Sequence, residues 1–127
     1  MQDHVEACLP EEACGLLGGR EGRVRMVLPV WNALRSTTRF RMDPQGQISA
    51  LARIEEEGEE MIGIYHSHPN GPPRPSETDF LEAAFPEVGY LIWSRRGEGW
   101  QCGAFRLVGE GFVPLPIQWE RRETSLG

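Results

Sequence analysis

The sequence predicts an α/β domain with a mixed, mostly antiparallel sheet flanked by helices, on three observations. Apolar runs of strand type alternate with glycine clusters at hairpin spacing. Two further segments carry the periodicity and start signals of helices. After them comes a central stretch, Met61 to Phe80, that begins as an apolar strand, turns through four prolines and restarts as a helix at Ser76. A chain of 127 residues with 39% apolar content can bury one core, so residues 1–127 read as a single domain with residues 118–127 as a frayed polar tail.

Taken in order, residues 2–9 fit a short helix with Val5, Cys8 and Leu9 on one side, stopped near Pro10. Ala13 to Leu17 is a small and apolar run suited to a buried strand. The Gly18-Gly19-Arg20-Glu21-Gly22 cluster reads as the turn into a second arm, Arg23 to Val30, whose Val24, Met26 and Leu28 alternate with outward positions. Residues 31–38 read as a loop and Arg39 to Met42 as a short strand. Asp43 can cap a helix that starts at Pro44 and runs to about Glu57, with Ile48, Leu51, Ala52 and Ile54 as its expected buried stripe. The acidic run that follows, Glu55 to Glu60 around Gly58, reads as a solvated helix end. Beyond the central stretch, Phe80 to Phe85 completes a short helix ended by Pro86. Tyr90 to Trp93 and Trp100 to Val108 are strands, and Phe112 to Ile117 is an edge strand because of Pro114 and Pro116. The four tryptophans read as core or sheet cover.

Composition excludes several classes. The charge, 13 minus 19, is −6 and disfavours a nucleic-acid binder. No run is long enough for a transmembrane helix, and the start Met-Gln-Asp-His-Val-Glu lacks the pattern of a signal peptide, so a cytoplasmic protein with no membrane partner is expected. Cys8, Cys14 and Cys102 are odd in number and widely spaced, which argues against both a disulfide framework and a cysteine zinc cluster.

The central stretch carries the chemistry. Residues i and i+2 of a strand share a face, so His66 and His68 can point at one spot while Ser67 points away. Pro69 ends the strand, and Asn70-Gly71 with Pro72, Pro73 and Pro75 makes a stiff turn. A helix beginning at Ser76 brings Asp79 back toward the histidines, although Ser76 with Asp79 is equally a helix cap with a favourable acid. Two imidazoles, a carboxylate and an open fourth position describe a catalytic zinc site; iron or manganese would fit the same ligands. Zinc lowers the pKa of bound water to roughly 7, and a carboxylate must then take its proton. Glu77 should point off the opposite side of the helix start, so a distant acid at the head of the first strand is needed, and position alone leaves both Glu11 and Glu12 open.

His66-Ser67-His68-Pro69, with seven residues between His68 and Ser76, and Ser76-Glu77-Thr78-Asp79 resemble the JAMM (MPN+) metalloprotease motif. Glu12-Ala13-Cys14-Gly15-Leu16-Leu17-Gly18 resembles the upstream block that contains that family's glutamate. The resemblance implies a cytidine-deaminase-like fold and one zinc ion held by His66, His68 and Asp79. It further implies Glu12 as general base and acid, and Ser76 as donor to the oxyanion. Family members cleave after the C-terminal Gly-Gly of ubiquitin or ubiquitin-like proteins. The short length resembles the compact prokaryotic type, which implies a small ubiquitin-like or sulfur-carrier protein with a Gly-Gly tail as partner and substrate. The alternative is a non-catalytic, zinc-stabilised module that binds such proteins. A DNA-repair family with similar spacing lacks the upstream block and suits the acidic charge poorly, and a nucleobase deaminase would need a Pro-Cys-x-x-Cys pair. A Cys14 nucleophile is disfavoured by its apolar strand.

Overall fold

The computed structural model describes residues 1–76, 79, 85 and 87–119. Among the described residues two helices, α1 (Gln2–Ala7) and α2 (Pro44–Glu56), accompany six strands: β1 (Cys14–Arg20), β2 (Arg23–Val30), β3 (Glu60–His68), β4 (Gly89–Arg96), β5 (Gly99–Val108) and β6 (Gly111–Leu115). The strands form one sheet in the order β2-β1-β3-β4-β5-β6. Only β3 and β4 pair in parallel, and every other neighbour is antiparallel, so the sheet is mixed as expected. No helix among the described residues is long and apolar enough to cross a membrane.

β1 is apolar on both sides of its pleat because it is covered on both. Leu16 joins Cys14, Ile64 and Tyr90 beneath Ala50 and Ile54 of α2, while Leu17 joins Tyr65 and Trp93 beneath Val5 of α1. Burying one such leucine contributes about 1.5–3 kcal/mol. Close approach is set by glycine: Gly15 lies opposite Tyr65 in the ladder, and a Cβ there would stand 2.4 Å from Cε1 of the Tyr65 ring.

Three expectations are corrected. Gly18 and Gly19 belong to β1, at an irregularity in its pairing; the turn is made by Glu21 and Gly22, whose φ values of 51° and 76° are those of a tight hairpin turn. Arg39 to Met42 forms no strand, only a single bridge from Met42 to Asn32. In α2 the buried residues are Ala50 and Ile54, whereas Ile48 is 61% exposed and Leu51 and Ala52 face outward. Small residues turned this helix: a Cβ on Gly46 would sit 3.2 Å from Val30 Cγ1, so the Gly46–Ala50–Ile54 face nests closely on the sheet where a bulkier stripe would not. The cap is as read, with the Asp43 carboxylate accepting from the Gly46 N–H at 2.8 Å.

β6 lies at the sheet edge, where Pro114 is tolerated, and ends before Pro116. Trp93 is core and Trp100 partly covered, but Trp31 is exposed; the expected frayed tail falls mainly on residues 120–127, outside the described residues, and Trp119 packs edge-on against Trp93 at 5.9 Å. The expected helix from Ser76 to Phe85 also lies largely outside them; Phe85 is fixed by Tyr90, whose hydroxyl donates to its carbonyl and accepts from its N–H, both at 3.0 Å.

Candidate metal centre

The site forms where β1 begins and β3 ends. His66 and His68 occupy one side of β3, 2% and 5% exposed, with their Nε2 atoms 3.0 Å apart. The turn after Pro69 folds tightly back on them: the Pro72 carbonyl lies 3.0 Å from His68 Nδ1. A carbonyl only accepts, so Nδ1 carries a proton; protonated at Nε2 as well, His68 donates to Asp79, and as a neutral imidazole it would present the Nε2 lone pair to an ion.

Asp79 completes a triangle. Its Oδ2 lies 3.2 Å from His66 Nε2 and 3.0 Å from His68 Nε2. The same oxygen accepts from the Ser76 N–H at 2.7 Å, and the Asp79 N–H donates to Ser76 Oγ at 3.0 Å. The cap and ligand readings of this pair are therefore not rivals: the reciprocal cap is what aims the carboxylate. Burial disfavours charge on Asp79, but hydrogen bonds from His66 and His68, the charge of His66 and the Ser76 N–H hold it well below the usual carboxylate range. Burial likewise opposes the charge on His68, yet the hydrogen bonds to Asp79 and Pro72, with the nearby Asp79 and Glu12 charges, raise its pKa.

Three converging donor atoms need a proton or a cation among them. A tetrahedral ion with bonds of about 2.0–2.1 Å holds its donors about 3.4 Å apart. The two imidazole nitrogens and the carboxylate oxygen stand 3.0–3.2 Å apart, so they fit a small divalent ion after a slight opening of the triangle.

Of the two candidate acids, Glu12 is the one beside this triangle. It is 4% exposed and shares one cluster with His66 and His68 in which the ligand atoms lie within 4.8 Å of one another. Glu11 instead faces Arg35 at 3.4 Å. Glu12 precedes the β1 ladder, and its neighbourhood is held by other means: the Ala13 N–H donates to Ser67 Oγ at 2.8 Å, and the Ser67 N–H donates to the Ala13 carbonyl at 3.0 Å. Glu77 lies outside the described residues.

Sequence reading missed three contributors. Ser67, the residue between the histidines, anchors the Glu12 segment from the opposite side of β3. Phe40 stacks on His66 with ring centroids 4.4 Å apart and planes inclined by 26°. Asn32, 7% exposed, donates to the Glu12 carbonyl at 3.1 Å. Only Ser67 carried a signal, its place inside the histidine pair.

Comparison with known proteins shows the family. The family described as prokaryotic homologs of the JAB domain matches residues 1–106. The desampylase of Pyrococcus furiosus is 41% identical over 87 residues, which cover 68% of this chain and 62% of that protein, just under two thirds of its length. The CysO-cysteine peptidase of Mycobacterium bovis is 38% identical over 120 residues, covering 92% of this chain and 82% of that one. The solution structure of a Desulfitobacterium hafniense protein superposes with a TM-score of 0.84 at 37% identity, covering 94% of this chain and 86% of that chain. On its motif blocks, its fold and this match over most of its length, the chain belongs to the JAB/MPN family, among the prokaryotic homologs of the JAB domain.

Proposed function

We propose that this chain is a JAB-type hydrolase, a zinc-dependent peptidase or isopeptidase that cuts the bond after the C-terminal Gly-Gly of a small ubiquitin-like or sulfur-carrier protein, in the cytoplasm. The observation that carries the reading is the convergence of His66 Nε2, His68 Nε2 and Asp79 Oδ2 at 3.0–3.2 Å with the buried Glu12 beside them. The substrate class is supported by the names of the desampylase and CysO-cysteine peptidase relatives and by the motif resemblance.

His66, His68 and Asp79 would hold the ion, which when bound supplies a Lewis acid that lowers the pKa of water to roughly 7. Glu12 takes the proton of the attacking water and returns it to the leaving amine. Its burial keeps that proton from exchanging with bulk solvent during the transfer. Ser76 Oγ already accepts from the Asp79 N–H, which leaves the hydroxyl hydrogen free to donate to the oxyanion that develops on the scissile carbonyl. The Pro72 carbonyl holds His68 in the tautomer that ligation needs.

The test is cleavage of a panel of ubiquitin-like proteins that carry short extensions after Gly-Gly, by zinc-loaded wild type and by Glu12→Gln. Cleavage after Gly-Gly that a chelator stops, and that Glu12→Gln lacks while keeping its zinc, supports the peptidase. Binding of the panel without cleavage by the zinc-loaded wild type would replace it with the non-catalytic module.

A further inference from the structure

The Glu12 backbone lies outside the sheet ladder, and the loop of residues 31–42 supplies what the ladder does not. We propose that Asn32 is a positioning residue for the Glu12 carboxylate, and that it does this by tying the Glu12 backbone and the aromatic cover of His66 into one loop. The proposal rests on the peptidase reading of the site.

The side-chain amide of Asn32 has two N–H donors and two acceptor lone pairs, and the structure uses all four. Nδ2 donates to the carbonyls of Glu12 at 3.1 Å and Arg39 at 2.9 Å. Oδ1 accepts from the N–H groups of Leu34 and Arg41, both at 3.1 Å. A buried amide satisfied in this way is a rigid node, because losing either side leaves carbonyls or N–H groups unpaired in a dry site.

The node has two outputs. The first is the base: the Glu12 N–H donates to the Ser36 carbonyl at 2.7 Å and the Glu12 carbonyl accepts from Asn32, so both backbone polar groups of this residue are held by the same loop. With the next N–H fixed by Ser67 Oγ, the carboxylate can move only through its own side-chain torsions. The second is the ligand: the loop returns past Asn32 through the bridge to Met42, and Phe40, between Arg39 and Arg41 that both bond to Asn32, stacks on His66. The Glu12 backbone is thereby placed relative to the histidine side by one side chain that is not itself a member of the Glu12, His66 and His68 cluster.

Asn32→Asp separates this from general stabilisation, since it keeps the shape and the two accepting contacts but removes both donors. Asn32→Ser, whose single hydroxyl is too short to span both carbonyls and which gives up the accepting contacts as well, buries no charge and serves if the aspartate variant does not fold. On a cleavable Gly-Gly fusion, each variant is expected to lower kcat by about 10- to 100-fold, the usual cost of a misplaced catalytic group, with KM and zinc content at wild-type values. In single-turnover assays on the Glu12→Gln background the same substitutions should lower the residual rate less than twofold, because a residue acting through Glu12 has nothing left to position. Unchanged kcat in both variants, or an equal loss with and without Glu12, overturns the proposal. If wild type cleaves no fusion, the peptidase reading fails separately, and amide hydrogen exchange decides for Asn32. Selective loss of protection at Glu12 and Ala13, with Leu16, Leu17 and Ile64 unchanged, upholds the anchoring; unchanged protection at Glu12 refutes it.

Discussion

The two sides of β3 at its C-terminal end make opposite use of neighbouring residues. On one, His66 and His68 crowd their Nε2 atoms against the Asp79 carboxylate, an arrangement that gains from a cation. On the other, each polar group has a fixed complementary partner: the Tyr65 hydroxyl meets His4 Nδ1 at 2.7 Å, and Ser67 Oγ takes the Ala13 N–H at 2.8 Å. The alternation of a single strand therefore separates chemistry from scaffolding, and residues adjacent in sequence should fail in different ways when changed. Substitutions on the histidine side should remove activity and leave the fold, and substitutions at Tyr65 or at Gly15 against its ring should weaken the fold and leave the turnover of each folded molecule.

The largest expected effect is on the chemical side. Glu12→Gln should reduce kcat by about 100- to 10,000-fold, the range for loss of a general acid–base, with zinc content retained. Ser76→Ala follows, at about 100- to 1000-fold in kcat if its hydroxyl serves the oxyanion. It also removes the acceptor for the Asp79 N–H, a cap worth about 1 kcal/mol. Steady-state kinetics beside metal analysis checks both. Chelation should lower the melting temperature by about 10 °C from that of protein saturated with a large excess of zinc, because a ligand bound only by the folded state stabilises it by about 4 kcal/mol at 1000-fold its Kd. An unchanged melting temperature would remove the metal from the comparison.

The scaffold side should give smaller effects of another kind. Gly15→Ala places a methyl 2.4 Å from the Tyr65 ring and should cost about 1–3 kcal/mol in denaturant unfolding. Tyr65→Phe loses only the hydrogen bond with His4 and should cost about 1 kcal/mol. Both should keep kcat per folded molecule within twofold; a large loss of kcat would show that the two sides are coupled. Smallest of all is thiol chemistry. Burial pushes Cys14 up to about 12 and Cys102 likewise to about 12, with burial also raising Cys8, so alkylation at pH 8 should leave Cys14 unmodified and activity intact by peptide mass mapping and turnover. Fast inactivation through Cys14 would revive a thiol nucleophile.

What could be read from the sequence was what depends on local periodicity. The i, i+2 histidines, the proline stop and the Ser76–Asp79 spacing have geometric meaning within one turn or one strand, and the structure brings those groups together. Asp43 before Pro44 likewise announced the start of α2. The misreadings share a different cause. On α2 Ile54 is buried as expected, but Gly46 and Ala50, which complete that face, pack by being small, whereas size alone favours Ile48 and Leu51. Gly18 and Gly19 looked like a turn because glycine permits one, while in β1 a Cβ on Gly19 would meet the Arg23 carbonyl at 1.9 Å. Asn32 and Phe40 could not be found because their roles exist only once β1, β3 and the loop are assembled.

The single parallel pairing has a practical corollary for engineering. β3 and β4 both run toward the candidate metal centre, so the connection between them returns to the other end of the sheet, and Pro72, Ser76 and Asp79 belong to that connection. The β1–β2 and β5–β6 hairpins, at Gly22 and Gly109, turn at the opposite end of the sheet. A fluorescent reporter, an affinity handle or new chain termini made by circular permutation belong at those two turns, where they can be carried without meeting whatever docks at the histidines.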